Sequence, residues 1–400
     1  MNESLKQEIL KMSSAMHEET IQTRHHLHQY PELSFKEYET ANYVENRLKS
    51  IGFTDIKRIA STGVVALLKP HFAGERVIGL RADLDALPIH ETNDVFYKST
   101  YEGIMHACGH DVHTAILLSV AKIFFEIKDQ ITGNVKFIFQ PGEELLPGGA
   151  SLLIKEGVLT NPTVYCLIAQ HVTPQIEVGK IGFKKGLFMA STDEIYLKVK
   201  GKGGHAAMPQ TYINPLLIAS AIITKLHQFF MIEKKENVHQ IPTVLAFGKI
   251  EGMGATNVIP NEVDIAGTFR TLDESWRKRC HEIMNDIIAE TVSTFGGEFE
   301  LDIRGGYPCL VNDELVTEKC INTTANILGK ENVIELDYRM TAEDFAYFSQ
   351  IKPVCFYRLG TGNALKSTQH NVHNSNFNID EEVLSFAPAV MVSMAIDLMS

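Results

Sequence analysis

The amino-acid sequence predicts an α/β protein that carries a second, inserted domain. Apolar strand-like runs alternate with helical runs over most of its 400 residues, which is typical of a largely parallel sheet covered by helices on both faces. Between residues 191 and 304 the order changes to strand, helix, strand, strand, helix, strand, the signature of a ferredoxin-like domain. We therefore expect an α/β/α sandwich formed by residues 1–190 and 305–400, interrupted by a ferredoxin-like (βαββαβ) domain at 191–304.

The sandwich is expected to begin with helices in residues 2–51, interrupted at Tyr30-Pro31-Glu32 and stopped at Gly52, since glycine commonly follows a helix C-terminus. Further strands are predicted at 63–68, 77–82, 135–140, 164–170 and 353–359, and helices at 37–51, 111–127 and 381–398. In such sheets the polar chemistry collects in loops beyond the carboxyl ends of the strands. Polar residues follow three of these strands and are expected to share one site: Asp83 and Asp85, Glu143 and Glu144, and His171.

The inserted domain has a complete set of ferredoxin-like elements. Strands are predicted at 194–199, 243–250, 262–271 and 298–303, and helices at 214–229 and 274–295. Its length, about 115 residues, is ordinary for a domain with a core of its own.

Composition and charge disfavour several classes of partner. The formal net charge is −12 and the basic residues are dispersed, so nucleic acid and anionic membranes are unfavourable partners. The N-terminus lacks the apolar core of a signal peptide, and apolar stretches such as 216–223 are shorter than the roughly 20 residues that span a bilayer. We expect a cytoplasmic protein without a nucleic-acid or membrane partner.

The six cysteines are scattered without a CxxC pair, which in a chain of this size indicates free thiols, five of them small core residues. The exception is Cys108, which lies in the run Met105-His106-Ala107-Cys108-Gly109-His110-Asp111-Val112-His113. A lone buried histidine is usually a hydrogen-bonded core residue. Three histidines beside a thiol favour a metal site, because Cys108 and His110 can share one ion from an extended loop.

Two adjacent glutamates provide a second indication. Glu143 and Glu144 follow an apolar strand and precede a loop rich in glycine and proline. Such a pair is often only a solvated turn. However, metal-assisted hydrolysis needs one carboxylate to hold the metal and another to take a proton from water, and glutamates at a bend can divide these tasks.

Two further histidines complete a mixed set of ligands. His171 closes a predicted strand, and His373 lies in a polar loop near the C-terminus. With Cys108, His110 and a glutamate they would suit one or two divalent ions, zinc or manganese first, with cobalt or nickel as alternatives. Asp85 is a natural hydrogen-bond partner for a ligand histidine, although a helix cap or turn is its simpler explanation.

Motifs of one known family occur in order along nearly the whole chain. They are His28-Gln29-Tyr30-Pro31-Glu32-Leu33-Ser34, Leu80-Arg81-Ala82-Asp83-Leu84-Asp85-Ala86-Leu87-Pro88, residues 105–113, residues 140–144, Gly201-Lys202-Gly203-Gly204-His205-Ala206-Ala207, Asn257-Val258-Ile259-Pro260, residues 267–271, residues 343–348 and His373. On these motifs the sequence resembles the M20 family of metallopeptidases, and specifically its branch of N-acyl-amino-acid amidohydrolases. That branch includes hippurate hydrolases, aminoacylase-like enzymes, auxin-conjugate hydrolases and acetyl-diaminopimelate deacetylases.

The resemblance implies roles that spacing does not give. Five residues match the metal ligands of this branch: Cys108, His110, Glu144, His171 and His373. Glu143 matches the general base that takes a proton from the attacking water. His106 and His113 are then expected to be supporting or structural residues.

For the inserted domain the resemblance implies a lid through which subunits pair as a homodimer or higher homo-oligomer. His205 would stabilise the oxyanion of the tetrahedral intermediate, commonly in the catalytic centre of a partner subunit. Asn257 and Arg270 would hold the substrate carboxylate, although Arg270 is equally well explained as an exposed residue of a sheet. The implied substrates are N-acyl amino acids or small dipeptide-like conjugates.

The sequence departs from the family pattern at three places. Gly142 stands where alanine is more usual, and Thr341-Ala342 replaces the commoner Gly-Ser, but neither change touches a proposed ligand. Met208-Pro209-Gln210 and Asn214-Pro215 occupy a loop that often holds histidine and aspartate near the substrate entrance. The acyl and amino-acid preferences therefore stay open.

Two other functions are compatible with parts of the sequence. A metal-holding scaffold without catalysis would be expected to lack Glu143 or a ligand, and all of these residues are present. A nucleotide-dependent enzyme would need a pattern such as GxGxxG, which Gly201-Lys202-Gly203-Gly204 does not have. The sequence favours a metal-dependent amidohydrolase.

Overall fold

The computed structural model describes residues 1–70, 74–233, 236 and 240–399. Its helices are α1 (Glu3–Ala15), α2 (His17–Gln29), α3 (Tyr38–Ile51), α4 (His110–Glu126), α5 (Gly149–Lys155), α6 (Pro215–His227), α7 (Glu274–Phe295), α8 (Glu314–Leu328), α9 (Ala346–Ser349) and α10 (Val383–Met399). Its strands are β1 (Ile56–Ile59), β2 (Gly63–Leu68), β3 (Val77–Asp83), β4 (Asn134–Gln140), β5 (Cys166–Glu177), β6 (Ile181–Phe183), β7 (Gly186–Met189), β8 (Asp193–Lys200), β9 (Gly204–His205), β10 (Thr243–Glu251), β11 (Val258–Ile259), β12 (Glu262–Thr271), β13 (Glu298–Gly305), β14 (Leu310–Asn312), β15 (Val333–Glu335) and β16 (Val354–Gly362).

The chain divides into two compact units. The first unit comprises residues 1–186, 311–337 and 347–400, and the second comprises residues 187–310 and 338–346. Each unit has its own cluster of buried apolar side chains.

The first unit is built around an eight-stranded sheet in the order β1-β2-β4-β3-β5-β16-β6-β15. The central strands β4, β3, β5 and β16 are parallel, as the alternation of strands and helices predicts. Every residue of β3 and of β16 is buried, as expected for strands covered on both faces.

Outside its centre the sheet is mixed, so the prediction of a largely parallel sheet is wrong for its flanks. β1, β2 and β4 form antiparallel pairs on one side, and β6 is antiparallel to β16 on the other. Three residues separate β1 from β2, and a connection this short can join antiparallel strands only.

The second unit contains the predicted βαββαβ order as β8, α6, β10, β12, α7 and β13. Its four-stranded sheet has the order β10-β12-β8-β13 and is antiparallel throughout. β8 alternates buried and more exposed residues, and its buried Ile195, Leu197 and Val199 join side chains of α6 and α7 in one apolar core. The ferredoxin-like prediction is confirmed.

One helical segment of the second unit, Pro215–Ile232, is long and apolar enough to cross a membrane by length and composition. The prediction from the sequence concerned only the apolar stretch 216–223. The helix is longer than this stretch, because α6 continues into a π-helical turn, Gln228–Glu233. Ile218, Ile222 and Leu226 of this segment pack into the core of the unit. These contacts are those of a core helix of the ferredoxin-like fold.

Candidate metal centre

The first unit brings six predicted site residues around one small volume. They come from the loop before α4, the first residue of α4, the turn after β4, the middle of β5 and the loop before α10. Possible ligand atoms lie within 4.8 Å of one another in three overlapping groups: Cys108 with His110 and His171, Cys108 with Glu144 and His373, and His110 with Glu143 and Glu144.

Direct contacts connect members of these groups. Cys108 Sγ lies 3.3 Å from His171 Nε2, and Glu144 Oε1 lies 3.1 Å from His373 Nε2. Cys108, His110 and His171 are buried, whereas the side chain of His373 is 51% exposed. Solvent therefore reaches the cluster at His373.

Asp85 fixes the orientation of His110. Its Oδ1 lies 3.2 Å from His110 Nδ1, and its Oδ2 accepts hydrogen bonds from Ser34 Oγ at 2.6 Å and from the N–H of Glu144 at 3.0 Å. The other ring nitrogen, His110 Nε2, is buried and has no hydrogen-bond partner among the residues that the structure describes. It lies 3.8 Å from Asp83 Oδ2 and 4.0 Å from Glu144 Oε1, and Glu144 belongs to the cluster.

The electrostatics of the cluster favour a bound cation. Burial lowers the pKa of His110, but the carboxylates of Asp83, Asp85 and Glu144 outweigh this effect and raise the pKa to about 10. Burial raises the pKa of the Cys108 thiol well above its usual range, and the nearby glutamates raise it further. A divalent ion would compensate the negative charge of the carboxylates around His110. It would also allow the Cys108 thiol to ionise, so this donor set fits a metal.

His113 contacts residues that surround the centre, in line with the supporting role expected for it. Asp83 and His113 could form another ligand group with His110, but both ring nitrogens of His113 are already engaged. Its Nδ1 lies 2.6 Å from Asp83 Oδ1, and its Nε2 accepts a hydrogen bond from the N–H of Val172 at 2.9 Å. The carbonyl of Val172 accepts from His171 Nδ1 at 2.8 Å, which leaves His171 Nε2 directed at Cys108.

Predicted residues of the second unit lie on two separate features. β9 and β11 form a small antiparallel ladder in which His205 pairs with Val258, and the carbonyl of Asn257 accepts a hydrogen bond from Ala206 N at 3.0 Å. His205 and Asn257 are both exposed and close together. His205 Nδ1 accepts from Ala207 N at 3.1 Å, so Nε2 is the nitrogen that carries its proton when the ring is neutral.

Arg270 lies on β12 of the four-stranded sheet and is half-buried. Its Nη1 donates to the carbonyl of Met340 at 3.1 Å, and burial lowers the pKa of its guanidinium. The alternative that Arg270 is only an exposed residue of the sheet therefore does not describe its position fully.

Two hydrogen bonds next to the ligand residues, one to Asp85 and one from Gly142, were not predicted from the sequence. Ser34 donates to Asp85, and Glu37 accepts from the N–H of Gly142 at 2.8 Å. Ser34 ends a family motif, but Glu37 carries no sequence signal beyond its place at a helix start.

Comparisons with known proteins agree with this geometry. Residues 79–397 match peptidase family M20/M25/M40. The N-acyl-L-amino acid amidohydrolase of Geobacillus stearothermophilus is 39% identical over 309 residues, which are 77% of this chain and 81% of that protein. A crystal structure from methicillin-resistant Staphylococcus aureus has a TM-score of 0.91 at 30% identity, covering 99% of this chain and all of the other. The YXEP protein of Bacillus subtilis, a dinuclear metal-binding peptidase of the M20 family, has a TM-score of 0.83 at 30% identity, covering 96% and 99%.

Proposed function

The chain belongs to peptidase family M20/M25/M40, and from that premise we propose that it is a metal-dependent amidohydrolase that splits N-acyl amino acids or small dipeptide-like conjugates. The observation that carries the proposal is the position of Glu143 beside the ligand cluster, in the same 4.8 Å group as His110 and Glu144. The similarity to the amidohydrolase of Geobacillus stearothermophilus supports the substrate class. We place its action in the cytoplasm.

Five residues would hold one or two divalent ions in this proposal: Cys108, His110, Glu144, His171 and His373. One thiol, three imidazoles and a carboxylate suit zinc or manganese, with cobalt or nickel as alternatives. When bound, such an ion polarises the amide carbonyl and lowers the pKa of water from 15.7 to about 7.

Glu143 is assigned as the general base. It accepts a proton from the attacking water and returns the proton to the nitrogen of the leaving amine. Glu143 is 6% exposed, which keeps the proton transfer away from bulk solvent. Asp85 holds the Nδ1–H of His110 and thereby fixes the tautomer that presents Nε2 to the cluster.

The second unit is assigned the contacts to the rest of the substrate. We propose that residues 191–304 form a lid and pairing domain inserted into a catalytic domain of residues 1–190 and 305–400. His205 would donate from Nε2 to the oxyanion, and Asn257 and Arg270 would hold the substrate carboxylate. A homodimer or higher homo-oligomer formed through this domain is part of the proposal.

Replacement of Glu143 by glutamine tests the assignment. Glu143→Gln is expected to keep its metal, measured by elemental analysis, and to lose about 10²–10⁴-fold in kcat on acetyl- and benzoyl-amino acids. Glu144→Gln is the matched control one residue away, and it should lose metal together with activity. Turnover at the wild-type rate by Glu143→Gln would overturn the proposal.

The substrate is identified by a panel of acetyl- and benzoyl-amino acids with several side chains, each assayed with zinc, manganese and cobalt. Hydrolysis confined to one acyl group or one class of side chain would define the specificity. Metal binding without hydrolysis of any member would favour the catalytically inactive scaffold.

A further inference from the structure

Glu37 is a buried carboxyl group that joins three separate segments of the first unit. Its Oε1 accepts hydrogen bonds from the N–H of Phe35 and the N–H of Gly142, each at 2.8 Å, and its Oε2 accepts from Thr62 Oγ1 at 2.6 Å. Glu37 precedes the first residue of α3, but its side chain makes no capping hydrogen bond to that helix. Its hydrogen bonds therefore hold the neighbouring chain segments.

One of these segments is the turn that contains Glu143. Gly142 has a φ of +53°, and a Cβ on this residue would lie 2.3 Å from Cε1 of the Phe35 ring. Both the backbone conformation and the position of the Phe35 ring thus favour glycine here. This contact gives a physical reason for glycine at the position where the family more often has alanine.

The same N-terminal segment also reaches the other side of Glu143. Ser34 donates to Asp85 Oδ2, which accepts a second hydrogen bond from the N–H of Glu144. The backbone is therefore held on both sides of Glu143, at Gly142 by Glu37 and at Glu144 by Asp85. Two fixed amides around one residue restrict the direction in which its side chain can leave the backbone.

We propose that Glu37, together with Phe35, is a positioning residue that sets the backbone of residues 142–144 and so aims the carboxylate of Glu143. The inference rests on the proposed role of Glu143 as general base. The acceptor oxygen at Oε1 is the required feature, not the negative charge, because two backbone N–H groups donate to that atom.

Paired substitutions of Glu37 test this idea. Glu37→Leu removes the acceptor, and a displacement of about 1 Å in a catalytic group can cost about 10²-fold in rate. We therefore expect kcat to fall roughly 10- to 100-fold with KM and metal content unchanged. Glu37→Gln keeps an acceptor at Oε1, and the hydroxyl of Thr62 can rotate to accept from the new amide, so kcat should return to near the wild-type value.

A buried hydrogen bond in another part of the unit provides the control for general destabilisation. Thr20 Oγ1 and Ser119 Oγ are 2.7 Å apart, and Thr20→Val removes this contact at similar volume. Thr20→Val should leave kcat unchanged. An unchanged kcat in Glu37→Leu, or an equal fall in Glu37→Gln, would overturn the proposal.

Hydrogen–deuterium exchange tests the positioning without any catalysis. In metal-free protein the amide of Gly142 should exchange faster in Glu37→Leu than in the wild type, Glu37→Gln or Thr20→Val. Unchanged protection in Glu37→Leu would overturn the positioning role even if Glu143 is the base. Faster exchange in a chain that hydrolyses no substrate would refute the proposed function and leave the structural contact standing.

A second pair of variants covers the case in which Glu37→Leu does not fold. Gly142→Ala should lower kcat, because the new methyl group meets the Phe35 ring, and Phe35→Ala in the same chain should restore part of the loss. Strictly additive effects of Phe35→Ala and Gly142→Ala on kcat would contradict the pairing of these two residues.

Discussion

The two units bury charged groups in different ways. In the second unit the carboxylate of Asp193 is fully buried and accepts hydrogen bonds from Arg277 Nε and Nη2 and from His281 Nε2, at 2.6 to 3.2 Å. In the first unit His110 is equally buried, yet within the described part of the chain its Nε2 has no hydrogen-bond partner. An unsatisfied buried polar atom costs about 1–3 kcal/mol. A buried charged group with all of its hydrogen bonds made thus indicates a structural ion pair. A buried atom without a hydrogen-bond partner, lying among possible ligands, indicates a metal site.

The largest expected effect is the loss of stability when the ion pair between Asp193 and Arg277 is broken. Asp193→Ala leaves the guanidinium of Arg277 buried without its main anionic partner, which typically costs about 3–5 kcal/mol. We expect the free energy of unfolding, measured with guanidinium chloride, to fall by that amount while the metal content of the folded protein stays unchanged. Asp302→Ala breaks the exposed pair with Arg304 in the same sheet and should change stability little. A loss of metal in Asp193→Ala would contradict the division of roles between the units.

The second-largest expected effect concerns His205, an exposed residue of the second unit. If His205 has its proposed role, His205→Ala should lower kcat about 10²–10³-fold, equivalent to about 2.7–4 kcal/mol, because the variant would lack the donor proposed for the oxyanion. Stability and metal content should not change, since the side chain is exposed. His227→Ala, an exposed histidine at the end of α6, is the control. An equal loss of kcat in both variants would remove His205 from the mechanism.

The third effect is a pH dependence of stability at Glu37. Burial, aided by the charge of Asp85, raises the pKa of this carboxyl group from 4.5 to about 7 despite the hydrogen bonds that lower it. The folded state therefore favours the protonated form, and the stabilisation is complete below pH 4.5 and is lost as the pH rises through 7. The shift corresponds to about 3 kcal/mol at most.

Glu37→Gln does not titrate, so comparison with it isolates this group from all others. The free energy of unfolding of the wild type relative to Glu37→Gln should decrease between pH 4.5 and 8. Parallel pH profiles for the two proteins would show that Glu37 has an ordinary pKa in the fold.

Much of the fold could be predicted because local periodicity decides it. The predicted strands at 63–68 and 262–271 coincide with β2 and β12, and the predicted helix at 274–295 coincides with α7. The pairing at the flanks of the first sheet could not be predicted in this way. Which strands pair, and in which direction, depends on contacts between distant segments and leaves no trace in the period of one strand.

The site shows the same limit. The ligand candidates are polar residues in apolar surroundings or in a dense run of histidines, so the sequence draws attention to them, and the structure places all five, with Glu143, in overlapping groups. Glu37 looks like a solvated residue at a helix start, because acidic residues are common there. Only the tertiary approach of Gly142 shows that its carboxyl group is buried against the turn.

The smallest effect tests whether the orientation of His110 depends on Asp85. Asp85→Asn keeps an oxygen for His110 Nδ1–H but loses the charge, and its amide donors would face the N–H of Glu144. Metal affinity, measured by competition with a chelator, should fall about 10- to 100-fold, or about 1.4–2.7 kcal/mol. Ser34→Ala removes one hydrogen bond from the same carboxylate and should cost less. If Asp85→Asn bound metal as the wild type does, His110 would have to be oriented by its packing, and the unpartnered nitrogen would be an insufficient mark of the site.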